Sequence, residues 1–332
     1  MKKNPKIAIT GGSGFIGFSL YKHLSSIFDA KVLDVKEPEN KSDEITFERC
    51  DIRNYMQVKK ALADVDLVIH TAIIQIPLIN DNKRLAYDVN FLGTYNVCRA
   101  VDELPNVKGM ILAGTWHTIG EKEISGVVDE EFGFRPDKVE DRARLYALSK
   151  IAQEVIVRFY DEMSAKVFGI IRMGTVLGED MPGKTAANIF ITKGLKGEPI
   201  TPYKHSMYRP MLYVDVENVC KAFERFTRKI LNGEIEEPRN SLSHIFNVYY
   251  PEPITILELA EIVRDVLVKH TNGKVNQKIE IIDRGKPALF TEEDKDKIKV
   301  DLTKAKKLLD LERLTSPVES IEKIVKNRLG II

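Results

Sequence analysis

A chain of 332 residues with 50 Lys and Arg against 49 Asp and Glu has a formal net charge of +1, and no overall field that would favour nucleic acid or an anionic membrane. No window approaches 18 uninterrupted apolar residues, and MKKNPKIAIT carries no apolar stretch ahead of a small-residue cleavage site, so a soluble cytoplasmic protein is expected. Any partner must be read from a site.

The first predicted element is the strand KIAIT, which halts at GGSGFIG and resumes as a helical pattern from Phe15 to Ile27. Gly11, Gly14 and Gly17 form G-x-x-G-x-x-G at that junction. Glycines between a strand and a helix permit a tight turn, close approach of backbone to a pyrophosphate, and tight helix packing. The pyrophosphate then meets free amides at a helix N-terminus, where the macrodipole favours an anion. Gly11, Gly14, Phe15, Ile16 and Gly17 are therefore candidate cofactor contacts. The second strand, KVLD, ends in Asp34, twenty residues beyond Gly14, where an acid accepts from both ribose hydroxyls of an adenosine. A carboxylate there repels a 2′-phosphate, so NAD is expected over NADP; nearby Lys36 is the one feature pointing the other way.

Alternation continues with ITFER, a helix from Tyr55 to Ala63, DLVIH, a helix from Arg84 to Val101, GMILAG, a helix from Tyr146 to Met163, and KVFGIIR. Strands separated by helix-length segments require crossovers in a mostly parallel sheet, so the fold class is α/β. A Rossmann-like doubly wound parallel sheet with a smaller C-terminal substrate-binding lobe is expected. From Gly174 the regularity breaks down: GTVLGEDMPGK reads as loop, Thr185 to Leu195 as a helix, and GEPITPYKHSMYRP as loop or short strand. MLYVD, a helix from Val216 to Ile230, HIFNVY and a helix after Thr255 return to the sheet pattern, while TEEDKDKIK (291–299) reads as a solvated loop. Residues 1–173 are thus expected to form the dinucleotide-binding domain, receiving elements from about 211–250. Residues 174–332 mainly form the substrate-binding lobe, interleaved with the sheet.

Chemistry enters with YALSK, which puts Tyr146 and Lys150 one turn apart on one helix face. An ammonium beside a phenol favours phenolate, lowering a pKa that starts near 10. Tyr146 is then able to exchange a proton with a substrate hydroxyl or carbonyl, and Lys150 to hold a nicotinamide ribose. Thr115, at the end of GMILAG, lies at the C-terminal sheet edge, where open α/β folds bind ligands. Its hydroxyl is placed to donate to the same oxygen. Cys50, Cys98 and Cys220 show no metal or redox spacing, and the six histidines include no ligand pair, so no metal is expected. His70, ending an apolar strand, reads as core, and His205 as a solvated loop histidine.

With these residues in place, the chain resembles the extended short-chain dehydrogenase/reductase family, the NAD-dependent nucleotide-sugar epimerases and dehydratases. The resemblance rests on TGGSGFIG (10–17), Asp34, DIRN (51–54), HTA (70–72), NFLGTYN (90–96), Thr115 with Gly120, YALSK, IRMGTVLG (171–178), RPMLYVDV (209–216), FNV (246–248) and DLTKAKKLL (301–309). It implies that Asp51 and Ile52 flank the adenine, that Ala72 lines the cofactor groove and that Asn90 orders the catalytic end of the sheet. Arg209 is implied as a nucleotide-diphosphate clamp and Arg284 as a second. Trp116 and His117 fall where the sugar lies, with Trp116 a candidate stacking face; Thr175 and Asn188 are further substrate-side candidates. Relatives pair two helices like Arg84–Val101 and Tyr146–Met163 across a two-fold axis, implying a homodimer.

Departures narrow the reaction. Where 4,6-dehydratases carry Asp-Glu after the catalytic threonine, this chain has Trp116 and His117, so water elimination is not expected. An asparagine common in epimerases is Thr175 here, the usual Arg-Asp is Arg209-Pro210, and the usual proline before the tyrosine is Leu145. The leading expectation is an NAD-dependent nucleotide-sugar epimerase like UDP-glucose 4-epimerase, acting by transient oxidation and re-reduction of a sugar hydroxyl. The alternatives are a net-redox NAD(P)-dependent dehydrogenase or reductase on the same scaffold and, behind it, a non-catalytic dinucleotide sensor.

Overall fold

The computed structural model describes residues 4–39 and 45–331. Its first half runs β1 (Lys6–Thr10), α1 (Phe15–Leu24), β2 (Asp29–Asp34), β3 (Phe47–Arg49), α2 (Tyr55–Ala61), β4 (Leu67–His70), α3 (Leu78–Asp81), α4 (Lys83–Tyr87), α5 (Thr94–Glu103) and β5 (Gly109–Thr115). Next come β6 (Gly126–Val128), α6 (Arg144–Met163), β7 (Val167–Met173), β8 (Thr175–Leu177), α7 (Ala186–Leu195), β9 (Pro210–Met211), β10 (Tyr213–Asp215), α8 (Val216–Asn232) and β11 (Ile245–Val248). The chain closes with β12 (Ile254–Thr255), α9 (Ile256–His270), β13 (Ile298–Val300), α10 (Thr303–Leu309) and α11 (Pro317–Arg328).

Seven strands form one parallel sheet in the order β3-β2-β1-β4-β5-β7-β11. Successive side chains along a strand point to opposite faces. Ile7 and Ile9 therefore join one core with Leu20 and Leu24 of α1 and Phe223 and Phe226 of α8. Ala8, Val68, Met110 and Leu112 join the other, with Val58 of α2, Val97 and Val101 of α5, and Val157 of α6. Because both faces are covered, every residue of β4 and β5 is buried, the pattern of a parallel sheet interior. Chain direction across the sheet reverses beside β1, which opens a crevice at the C-terminal strand ends between β1 and β4.

Three sequence expectations change. The helix from Arg84 to Val101 is interrupted: α4 passes into a π-helical turn over Asp88–Gly93 before α5 begins. The wider turn carries the fully buried Asn90, whose Oδ1 accepts from Ile74 N at 2.7 Å while Nδ2 donates to Ile74 O and Ser149 Oγ, each at 3.1 Å. π turns of this kind are frequent at functional sites. MLYVD does not rejoin the main sheet, because β11 already pairs with β7 at that edge; β9 pairs with β12 and β10 with β8 in separate two-stranded ribbons. The segment 291–299 is no open loop. A capping box between Thr291 and Asp294 starts a 3-10 turn, Lys295 is ion-paired to Glu258, and β13 pairs with β6.

Two buried polar clusters tie the sheet to its helices. His70 is fully buried between Thr10 Oγ1 at 2.6 Å and Thr94 Oγ1 at 3.0 Å, and burial pushes its imidazole down to about 3. Arg172 of β7 forks onto Glu154 of α6 at 2.6 and 3.1 Å and donates to Glu130 O at 3.0 Å. Cys50, Cys98 and Cys220 are buried free thiols, each pushed up chiefly by burial.

Candidate active site

A cavity of about 1020 Å³ lies along the C-terminal ends of the main-sheet strands. At its floor Gly11 has φ +69°, its amide donates to Leu33 O at 2.8 Å, and a Cβ there would stand 2.5 Å from the Ala72 backbone. A Cβ on Gly17 would meet Gly11 O at 2.4 Å, so the loop and helix pack too closely for any other residue. No side chain caps α1, and the amides of its first turn have no partner within the helix. Gly14, Phe15 and Ile16 line the cavity beside them.

Asp34 stands at the end of β2, its Oδ2 accepting from Ser13 N at 3.1 Å and its Oδ1 from Lys36 N at 3.2 Å. Each carboxylate oxygen keeps a lone pair for a further donor. Glycine cradle, uncapped helix start and oriented acid together fit a dinucleotide. Asp51 and Ile52 line the far end, but the Asp51 carboxylate is already held by the Arg53 guanidinium, which keeps it below its usual range. Ala72 is in the wall. Asn90 is not: it sits behind, tying Ile74 to α6.

Tyr146, Lys150 and Thr115 converge at the middle of the cavity. Lys150 Nζ donates to Ala113 O at 2.8 Å, and burial lowers its pKa to about 7, with Glu154 opposing. Tyr146 is pushed up to about 12 by burial, against the effect of a hydrogen bond with Thr115. Burial is the dominant influence on the phenol, and Lys150 Nζ spends one of its three donors on the Ala113 carbonyl.

The substrate half brings His117, Thr175 and Arg209 into the same wall and leaves three other candidates out. Trp116 is buried in the core, its indole Nε1 donating to Thr175 Oγ1 at 3.2 Å, so it stiffens the wall from behind and presents no stacking face. Asn188 lies elsewhere, donating to Met181 O at 2.7 Å and accepting from Arg328 at 3.1 Å. Arg284 stacks over the Tyr203 ring outside the cavity. His205 also lies outside it, its ring stacked on Tyr203.

Three residues the motifs do not mark complete the site: Glu121, Glu140 and Arg142. Arg209 is buried with its Nε 3.5 Å from Glu121 Oε2, and is ion-paired to Glu140, which also accepts from Arg142 at 2.7 Å. Burial opposes ionisation of Glu121, yet Arg209 and then His117 hold it down to about 2. The i, i+4 spacing of His117 and Glu121 is a usable signal in the sequence. Glu140 and Arg142 reach the site only through the loop before α6.

The model of the NAD dependent epimerase/dehydratase family matches residues 7–247. A protein of Methanocaldococcus jannaschii provisionally named UDP-glucose 4-epimerase is 30% identical over 227 residues, 65% of this chain and 71% of its own. The UDP-glucose 4-epimerase of Thermus thermophilus, solved with NAD, superposes with a TM-score of 0.76 at 22% identity, over 98% of this chain and 100% of that one. That of Thermotoga maritima, solved with UDP-glucose, gives 0.78 at 20% identity over the same shares. At such identity these two structures establish a common fold.

Proposed function

Because this chain belongs to the NAD-dependent epimerase/dehydratase family, we propose that it is a nucleotide-sugar epimerase that oxidises a sugar hydroxyl transiently and reduces the resulting ketone on its other face. The observation that carries this reading is the convergence of Thr115, Tyr146 and Lys150 in one cavity with the glycine cradle. Gly11, Gly14, Gly17, Asp34 and Lys150 would hold the dinucleotide, with Phe15, Ile16, Asp51, Ile52 and Ala72 along the groove. When bound, NAD supplies the hydride acceptor and donor. Tyr146 takes and returns the hydroxyl proton, Thr115 fixes the oxygen, and the wall built by Thr175 and His117 faces the sugar. In this reading residues 1–173, with α8 and β11, form the cofactor half, and residues 174–332 mainly enclose the substrate.

The test is to incubate the protein with UDP-, GDP- and dTDP-hexoses and follow epimer ratios by NMR, after confirming bound NAD by mass spectrometry of the denatured protein. Equilibration of one sugar pair is the expected result. No equilibration of any, with NAD present, overturns the reading. A second reading, net oxidation or reduction of a hydroxy compound lacking a diphosphate, is favoured by one observation: Arg209, the candidate diphosphate clamp, is already matched by Glu121 and Glu140. That version alone accumulates or consumes NADH, visible in the near-ultraviolet absorbance of the reduced cofactor.

Asp34 carries the cofactor preference. Asp34→Ala is expected to weaken NAD binding roughly 10- to 100-fold, the value of hydrogen bonds to a charged group, and to raise relative affinity for NADP. Calorimetric titration of both dinucleotides checks it, and an unchanged NAD affinity would remove Asp34 from the site.

The homodimer belongs to the same proposal. Leu148, Val155, Phe159 and Met163 form an exposed apolar stripe down α6, and Tyr87, Leu92 and Tyr95 are exposed along the α4–α5 segment beside it. Patches of this kind mark interaction surfaces. Phe159→Asp should halve the mass measured by light scattering at micromolar concentration with the circular dichroism spectrum unchanged; a wild-type monomer would refute it. No helix among the described residues is long and apolar enough to cross a membrane, and the buried free thiols suit a reducing compartment, which supports a cytoplasmic location.

A further inference from the structure

Lysine and arginine side chains line both halves of the cavity, and their partners sort them by what each still has to offer a ligand. Lys36, Arg49 and Arg53 belong to the adenosine half: Lys36 follows Asp34, Arg49 is the register partner of Asp34 on β3, and Arg53 is bonded to Asp51. Among the described residues, that leaves Lys150, Arg209 and Arg142 for the substrate half. Lys150 belongs to the catalytic set, with Nζ on the Ala113 carbonyl. The choice of an anion-binding cation therefore falls between the two arginines.

Arg209 is only 8% exposed, and its guanidinium lies between two carboxylates, with Nε 3.5 Å from Glu121 Oε2 and a terminal nitrogen ion-paired to Glu140. A diphosphate would engage it only by displacing one of them. A buried carboxylate separated from its cation is a costly product, and phosphate oxygens brought beside the pair would be repelled by both acids. Arg142 stands differently. It comes from the 3-10 turn over Asp141–Ala143, its carbonyl accepts from Asn80 Nδ2 at 2.9 Å, and its side chain is 62% exposed while still lining the cavity. Its Nε donates to Glu140 Oε2 at 2.7 Å, which ties the guanidinium to the wall. Both terminal amino groups are without a partner among the described residues. The adjacent Asp141 is itself ion-paired to Arg144.

We propose that Arg142 is the cation that binds the diphosphate of the nucleotide sugar, and that Arg209, the arginine of the family motif, serves as the internal counter-ion of Glu121 and Glu140. This rests on the epimerase reading above and names the residue that holds its substrate. A guanidinium with two unspent amino groups meets phosphate oxygens with paired, charge-assisted hydrogen bonds. Glu140 links the two arginines, giving Oε1 to Arg209 and Oε2 to Arg142. The carboxylate that occupies the motif arginine thus aims its replacement. A matched Arg209 and a diphosphate-bearing substrate are then compatible, because the anion is met from the loop before α6 and not from the segment before β9.

The test is calorimetric titration of the NAD-saturated protein with UDP, GDP and dTDP, which requires no turnover. Wild type should bind at least one of them. Arg142→Gln should weaken the tightest of the three by about 10- to 100-fold, the value of hydrogen bonds between charged groups. Because Arg142 is largely exposed, the variant should keep the wild-type melting curve in circular dichroism. Arg284→Ala removes an arginine that lies outside the cavity, stacked on Tyr203, and should keep the wild-type affinity. Three results overturn the proposal: no nucleoside diphosphate bound by wild type, an affinity of Arg142→Gln within about threefold of wild type, or an equal loss in Arg284→Ala, which would assign the effect to overall charge. The two readings fail separately. Arg142-dependent binding without epimerisation of any sugar removes the epimerase reading alone, whereas epimerisation with Arg142-independent binding removes this one alone.

Discussion

Tyr146→Phe should lower kcat by roughly 10³-fold while leaving bound NAD at the wild-type amount. The ring lies in the wall between Thr115 and the T-shaped contact with His117 at 6.0 Å, so phenylalanine keeps the packing and loses only the hydroxyl. That hydroxyl lies in the cavity wall with Thr115 and Lys150. Single-turnover measurement of the first oxidation would show the same loss, because the missing step is proton removal and not product release. Substrate binding should change little, since the uncharged phenol contributes about one hydrogen bond to the ground state. A variant within about tenfold of wild type would take Tyr146 out of the chemistry and leave the family resemblance as one of fold alone.

The largest stability effect is expected at the Arg172–Glu154 pair. Both groups are almost wholly buried in a forked contact at 2.6 and 3.1 Å, and the nearest other cation to Glu154 is Arg158 at 3.8 Å. Arg172→Met strands the Glu154 carboxylate between α6 and β7 and should cost about 3–5 kcal/mol in denaturant unfolding. Arg172→Met combined with Glu154→Leu removes both charges and should recover most of that loss. A functional signature accompanies the stability change. Glu154 is the charge that opposes the lowering of the Lys150 pKa, so its removal also shifts the ammonium one turn away toward neutrality. Unfolding curves for the two single variants and the double, analysed as a cycle, separate the pair from the surrounding packing.

Motif residues are legible in the sequence wherever the backbone alone dictates the geometry. The glycine turn needs a positive φ at Gly11 and bare contact at Gly17, and those demands are written in residue identity. Tyr146 and Lys150 share a helix face by spacing, and Asp34 is placed by the end of its strand. Trp116 shows the limit. Thr115 ends β5 facing the cavity, and the chain turns at once into a 3-10 turn over Trp116–Ile119 that carries the indole into the core with Ile119 and Met173. The strand end is legible, whereas the 3-10 turn that buries Trp116 is not. Glu140 and Arg142 are invisible for a different reason. They arrive from a loop whose path is set by contacts with Gly120 and Lys138, long after the strand that carries Thr115. MLYVD reads as sheet because its composition is strand-like, but which partner a strand meets depends on what else competes for the edge, and β11 holds it.

Asn90 gives the molecule a shared melting point for two functions. Its amide grips both backbone groups of Ile74, in the cavity wall, and the hydroxyl of Ser149, the residue before Lys150. The wall loosens only by losing two of these bonds and the helix only by losing the third, and all three belong to one amide. Heat should therefore release the cofactor and abolish turnover together, as one thermal event, and neither loss should precede the other.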